Sequence, residues 1–215
     1  MSHTRILLAV VAVLVVSSAA WAQVGHNNGV LNPNLATVAE MAAVPHLDEN
    51  AAAAIIDGRP YLSATDLDAK LREFGLSDEQ RAEVFVKLFV PINLDTASTE
   101  EILLVPGAGQ RMAREFAEYR PWEGGMLRFR REIGKYVDDD EVARLAQYVF
   151  VPLDLNGASD EDFLTIPGVG DRMVREFKEY RPWVSFEQFR REIGKYVDDN
   201  EVARLERYFV IKDNQ

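Results

Sequence analysis

The chain has 215 residues, 47% of them hydrophobic, with 24 basic against 35 acidic side chains and a formal charge of −11. This is globular composition for one to three small domains and excludes disordered, collagen-like and disulfide-scaffold classes. With no cysteine and only three histidines (His3, His26, His46), thiol chemistry and most histidine-based triads and metal clusters are excluded too, and the acidic balance opposes unspecific attraction to nucleic acid or anionic membrane.

Arg5 precedes the apolar run Ile6 to Val16, and Ser17-Ser18-Ala19 leads to Ala20-Trp21-Ala22, whose small residues at alternate positions fit the A-x-A cleavage rule. Residues 1–22 therefore read as a Sec-type signal peptide cleaved after Ala22, giving a secreted or periplasmic product. The competing reading is an uncleaved anchor, since Ile6 to Ala22 is nearly long enough to span a membrane. After cleavage no membrane span is expected, because no later stretch approaches ~20 apolar residues.

The remaining chain is built on a repeat. Residues 105–122, VPGAGQRMAREFAEYRPW, return 61 positions on as IPGVGDRMVREFKEYRPW, and RREIGKYVDD at 130–139 returns unchanged at 190–199. A diverged copy lies upstream at the same offset, with Val44-Pro45 and Arg59-Pro60-Tyr61 in corresponding places. The expected units are 23–90, 91–151 and 152–215, joined at Val90-Pro91 and Val151-Pro152.

Each unit opens on a helix start signal: Thr37-x-x-Glu40, Ser98-x-x-Glu101 and Ser159-x-x-Asp162, spaced as capping boxes. A short helix follows to Val44, Val105 or Ile166, where proline and glycine break it. A second helix carries Met112, Ala113, Phe116 and Tyr119 on one face and ends before Pro121; Met173, Val174, Phe177 and Tyr180 repeat the stripe. This stripe reads as core, with Tyr61, Trp122 and Trp183 capping it. A second helix pair spans Leu127 to Ile133 and, after Gly134-Lys135-Tyr136, Asp138 to Tyr148. The acidic run Asp138 to Glu141 reads as helix capping rather than a metal site. No segment alternates long enough to predict a strand, so the expected fold class is all-α with no sheet.

The short helix, the P-G-h-G hairpin and the second helix beginning R-M-A or R-M-V resemble the helix-hairpin-helix family. Asn93-Leu94-Asp95-Thr96-Ala97-Ser98 and Asp154-Leu155-Asn156-Gly157-Ala158-Ser159 resemble the N-x-N-x-A-S lead of the ComEA-type competence DNA receptor domain. The resemblance covers three tandem pairs of hairpins and is specific in units two and three. It implies a non-enzymatic, cofactor-free protein that contacts the backbone of double-stranded DNA without reading bases, as in DNA uptake.

The residues give that expectation a physical basis. Glycines permit a tight turn between helices, and the first free N–H groups of the second helix form an anion site at its positive dipole end. The expected phosphate-binding residues are Gly107, Ala108, Gly109, Arg111 and Arg114, with Gly168, Val169, Gly170, Arg172 and Arg175. Two further readings stand beside this one. The glycines also serve if their only task is close packing of helices, and the cluster Arg128, Arg130, Arg131 and Lys135, echoed by Arg190, Arg191 and Lys195, also fits a solvated face paired with Glu132 or Glu192.

Unit one departs from the pattern. His46 and Asp48 replace the two hairpin glycines, so it is expected to bind no DNA. Every unit is acidic: five Lys/Arg against ten Asp/Glu in 23–90, eight against eleven in 91–151, ten against fourteen in 152–215. That balance keeps an alternative open, an extracytoplasmic module that docks on a protein partner in the cell envelope. No catalytic constellation or P-loop is present, so neither enzyme activity nor a metal is expected.

Overall fold

A computed structural model of the chain describes residues 29–212; the expected signal peptide and its cleavage site lie outside them. The described residues carry twelve helices in three sets of four. The first set is α1 (Val38–Ala42), α2 (Glu49–Asp57), α3 (Ala64–Glu73) and α4 (Asp78–Phe85). The second is α5 (Thr99–Leu104), α6 (Gln110–Glu118), α7 (Gly125–Ile133) and α8 (Asp139–Leu145). The third is α9 (Asp160–Leu164), α10 (Asp171–Glu179), α11 (Phe186–Ile193) and α12 (Asp199–Glu206). No helix among the described residues is long and apolar enough to cross a membrane.

The structure is mainly helical, but the expectation of no sheet is overturned. Two parallel two-stranded ladders are present, β1 (Ile92–Asn93) with β2 (Val149–Phe150) and β3 (Leu153–Asp154) with β4 (Phe209–Val210); Leu31 and Leu88 form the equivalent single bridge in unit one. The leading segment of each unit thus bonds to its own tail: Ile92 donates its amide to the Tyr148 carbonyl (2.9 Å) and Leu153 to that of Tyr208 (2.8 Å). Each strand has two residues, too few for alternation to show, and its partner lies a whole unit away. The pairing also ends α8 at Leu145, short of Tyr148, because the following residues are drawn into β2.

Local chemistry fixes the helix starts. Thr37, Ser98 and Ser159 each close a capping box at the expected place, and Ser63 and Ser77 add two more in unit one. Asp138 and Asp198 accept from the amides of Glu141 and Glu201, each at 2.9 Å, so the acidic runs start helices.

One clamp recurs in all three units. The guanidinium of Arg120 donates to the carbonyls of Leu94 (2.6 Å) and Ala97 (2.5 Å), and Arg181 does the same to Leu155 and Ala158. Arg59 bonds Pro33 and Ala36 in the same way. Beside it the side chain of Asn34, Asp95 or Asn156 accepts from the amide of Tyr61, Trp122 or Trp183 at 2.7–2.8 Å. The polar lead of each unit is therefore tied to the Arg-Pro-aromatic end of its second helix.

Tyr61, Trp122 and Trp183 are buried, and both indole N–H groups donate inward, to Phe116 and Phe177 carbonyls. One continuous apolar core runs from Val30 to Val149 through units one and two; a second, from Phe150 to Phe209, serves unit three. Unit three reaches back through Arg207, which donates to the Pro91 carbonyl (2.8 Å), and through Gly168, which faces the methyls of Leu35.

Candidate anion-binding hairpins

The turn between the first two helices has a left-handed residue at the same place in each unit: His46 (φ 66°), Gly107 (φ 79°) and Gly168 (φ 78°). For Gly107 the conformation is only part of the reason for glycine. A Cβ there would lie 2.6 Å from Nη2 of Arg144, whose guanidinium on α8 forms a two-bond pair with Glu141, both bonds at 2.7 Å. At Gly168 the neighbours are Nη2 of Arg204 (3.2 Å) and the Leu35 methyls. The left-handed backbone and the neighbouring side chains together favour glycine at 107 and 168.

Neither feature accounts for Gly109 and Gly170. These are the N-cap residues of α6 and α10, their backbones are extended, and an added Cβ would meet nothing within 4 Å. Serine or aspartate would fit there and cap the helix, yet neither helix has a side-chain cap. Ala108 is buried against the core and Val169 half-buried, so each hairpin is anchored at its centre while the flanking glycines face solvent. The open N–H groups of the first turn are available to an anion.

Arg111 and Arg114 on α6, and Arg172 and Arg175 on α10, are all exposed. Among the described residues none of the four has a carboxylate or backbone-carbonyl partner. The cations of the second helix pair are engaged: Arg131 and Lys135 both bond Glu132, Arg191 and Lys195 both bond Glu192, and Arg190 makes a two-bond pair with Glu206. Arg128 donates to the Pro121 carbonyl (2.6 Å). Hydrogen bonds from Lys135 and Arg131 hold the Glu132 carboxyl below the usual carboxylate range, and Lys195 and Arg191 do so for Glu192. The solvated-face reading thus fits the second helix pair.

Sequence reasoning missed an aromatic platform beside each hairpin. The Arg111 guanidinium lies over the Tyr136 ring (5.2 Å to the centroid), and the Tyr136 and Tyr119 hydroxyls are 3.0 Å apart. Lys135 lies over Tyr119 (5.5 Å). Unit three repeats it, with Arg172 over Tyr196 (5.7 Å), Tyr180 and Tyr196 hydroxyls 2.9 Å apart, and Lys195 over Tyr180 (5.1 Å). Hydrogen bonds with Tyr119 and Glu115 push the Tyr136 hydroxyl above its ordinary value, as those with Tyr180 and Glu176 do for Tyr196. The signal was present in the sequence as the ten-residue block that returns without a change.

Unit one keeps the turn and loses this chemistry. Asp48 accepts from the Ala51 amide (2.8 Å) and caps α2, while His46 pairs with Glu83 (2.7 Å) where units two and three place Arg144 and Arg204. Asn50 and Ala53 stand where Arg111 and Arg114 stand, and Gly58 replaces Tyr119. Among the described residues no three histidine, aspartate or glutamate side chains converge as a metal site requires. No family model, curated protein or solved structure matches the chain.

Proposed function

We propose that the chain is an exported, non-enzymatic protein of three tandem paired helix-hairpin-helix units that binds the phosphate backbone of double-stranded DNA without sequence preference. Contact is made through the hairpins of units two and three. The observation that carries this reading is the pair of uncapped glycine N-caps, Gly109 and Gly170, beside exposed arginines that form no ion pair among the described residues. Backbone amides and bidentate guanidinium groups suit phosphate oxygens and carry no base information. Export rests on the leader residues, and DNA uptake is the process that such a protein would serve.

The test is fluorescence anisotropy of a random-sequence duplex at low and near-physiological salt. Four phosphate contacts give a logarithmic salt slope of about −3 to −4. Replacing Arg111, Arg114, Arg172 and Arg175 with glutamine removes most of that slope. A wild-type chain that binds no duplex at low salt overturns the proposal.

A protein-interaction module in the cell envelope is the second reading, and one feature beyond the net charge favours it. The unit-two hairpin opens on a groove of about 800 Å³ against α4, lined by Val86, Leu103 and Pro106 and by the carboxylates of Asp78 and Glu83. Val86 and Leu103 are 45% and 37% exposed, an apolar strip suited to a protein side chain.

A further inference from the structure

We propose that Tyr136 and Tyr196 are positioning residues that hold Arg111 and Arg172 beside the uncapped helix starts with their N–H edges free for phosphate. This rests on the DNA-backbone reading and names the residues that make it work. A guanidinium stacked on an aromatic ring uses its face and leaves its donor edge open, whereas one paired with a carboxylate loses that edge to the partner. In each of units two and three the first-turn arginine stands over a tyrosine of the second hairpin and has no carboxylate partner among the described residues, while the neighbouring lysine, Lys135 or Lys195, and the arginine on α7 or α11, Arg131 or Arg191, are taken up by Glu132 or Glu192.

The ring is itself fixed. Tyr136 is bonded to Tyr119 of α6, the helix that carries Arg111, and Tyr196 is bonded to Tyr180 of α10, the helix that carries Arg172. Each platform therefore ties the second hairpin to the helix whose N-terminus it serves, and the arginine is ordered before the ligand arrives. Ordering in advance removes part of the entropic cost of binding. Unit one, where Asp48 already fills the helix start, has lost the arginine and the platform together: Asn50 replaces Arg111, Gly58 replaces Tyr119 and Gly75 replaces Tyr136.

The experiment measures binding of the full chain to a random-sequence duplex at several salt concentrations, alongside its melting temperature. Tyr136→Leu with Tyr196→Leu is expected to weaken binding about tenfold. Tyr136→Phe with Tyr196→Phe, which keeps the rings, should restore most of the affinity. In a background carrying Arg111→Gln and Arg172→Gln, the leucine changes should have no further effect, because the tyrosines act through those arginines. A purely structural role would instead give an additive loss there, tracking the melting temperature. Unchanged affinity in the leucine variants, or an additive loss, overturns this inference and leaves the DNA reading intact. Absence of duplex binding by the wild-type chain overturns both.

Discussion

His46 in unit one and Gly107 in unit two hold the same left-handed backbone (φ 66° and 79°), so the turn does not depend on glycine. What differs is what each hairpin faces. Under Gly107 lies the Arg144 guanidinium, in the space where a Cβ would be; beside His46 lies Glu83, which the imidazole bonds. Two residues on, Asp48 caps α2 with its own carboxylate, whereas Gly109 leaves α6 open. Unit one has satisfied internally the helix start that units two and three leave to solvent. The fold tolerates either arrangement, which separates the hairpin's shape from its chemistry.

The largest effect should come from a feature that the units share. Arg120→Ala strips two carbonyl groups of buried residues of their donor and is expected to lower stability by about 2–3 kcal/mol in urea denaturation, with Arg59→Ala close behind. A clear difference between them would mean that the clamp is not equivalent in the two units. Next in size, Gly107→Ala should lose about 1–2 kcal/mol from the left-handed backbone, plus any displacement of Arg144. His46→Gly should stay within about 1 kcal/mol of wild type, as relief of strain offsets chain entropy and the lost contact to Glu83. Asp48→Ala removes the cap and should lower stability by about 1 kcal/mol, with no change in duplex binding.

A smaller effect separates units two and three. Asp171 sits in the first turn of α10 where unit two has Gln110, and its charge would oppose an anion at that helix start. Asp171→Gln should tighten duplex binding about threefold, read by the same anisotropy titration. The smallest effects concern acid pH. Glu132 and Glu192, and Glu141 beside Arg144, are held below the ordinary carboxylate value in the folded protein. Their contribution is present above the unfolded value of about 4.3 and is lost as pH falls through the depressed folded values. Melting temperature should therefore decline below about pH 4.3, and Glu132→Gln should flatten that decline.

Much of the helical frame was legible because its causes are local. Serine or threonine three residues before an acid marked the starts of α1, α5 and α9, Pro121 and Pro182 marked where α6 and α10 must have ended, and the stripe of Met112, Ala113, Phe116 and Tyr119 gave the buried face. The ladders were not legible: Ile92 and Val149 pair over two residues across 57 positions, and no local pattern announces that. The hairpin was half legible. Glycine at 107 and 168 marked a turn, but its neighbours Arg144 and Arg204 come from the far end of the unit, so its packing role appeared only in three dimensions. The basic block around Arg131 and Lys135 was legible as one of two alternatives: pairing with Glu132 was among the readings of the sequence, and the structure selects it.

On the proposed function, Gly109 and Gly170 are glycine for the sake of an external anion and not for the fold. The direct measurement is the melting temperature and duplex affinity of a Gly109→Asp, Gly170→Asp variant, which copies the Asp48 cap into units two and three. Both positions are extended and open, so the new caps should stabilise the chain by about 0.5 kcal/mol. The variant should melt at or above wild type and lose salt-dependent duplex binding. A stable variant that binds duplex as tightly as wild type would contradict that reading.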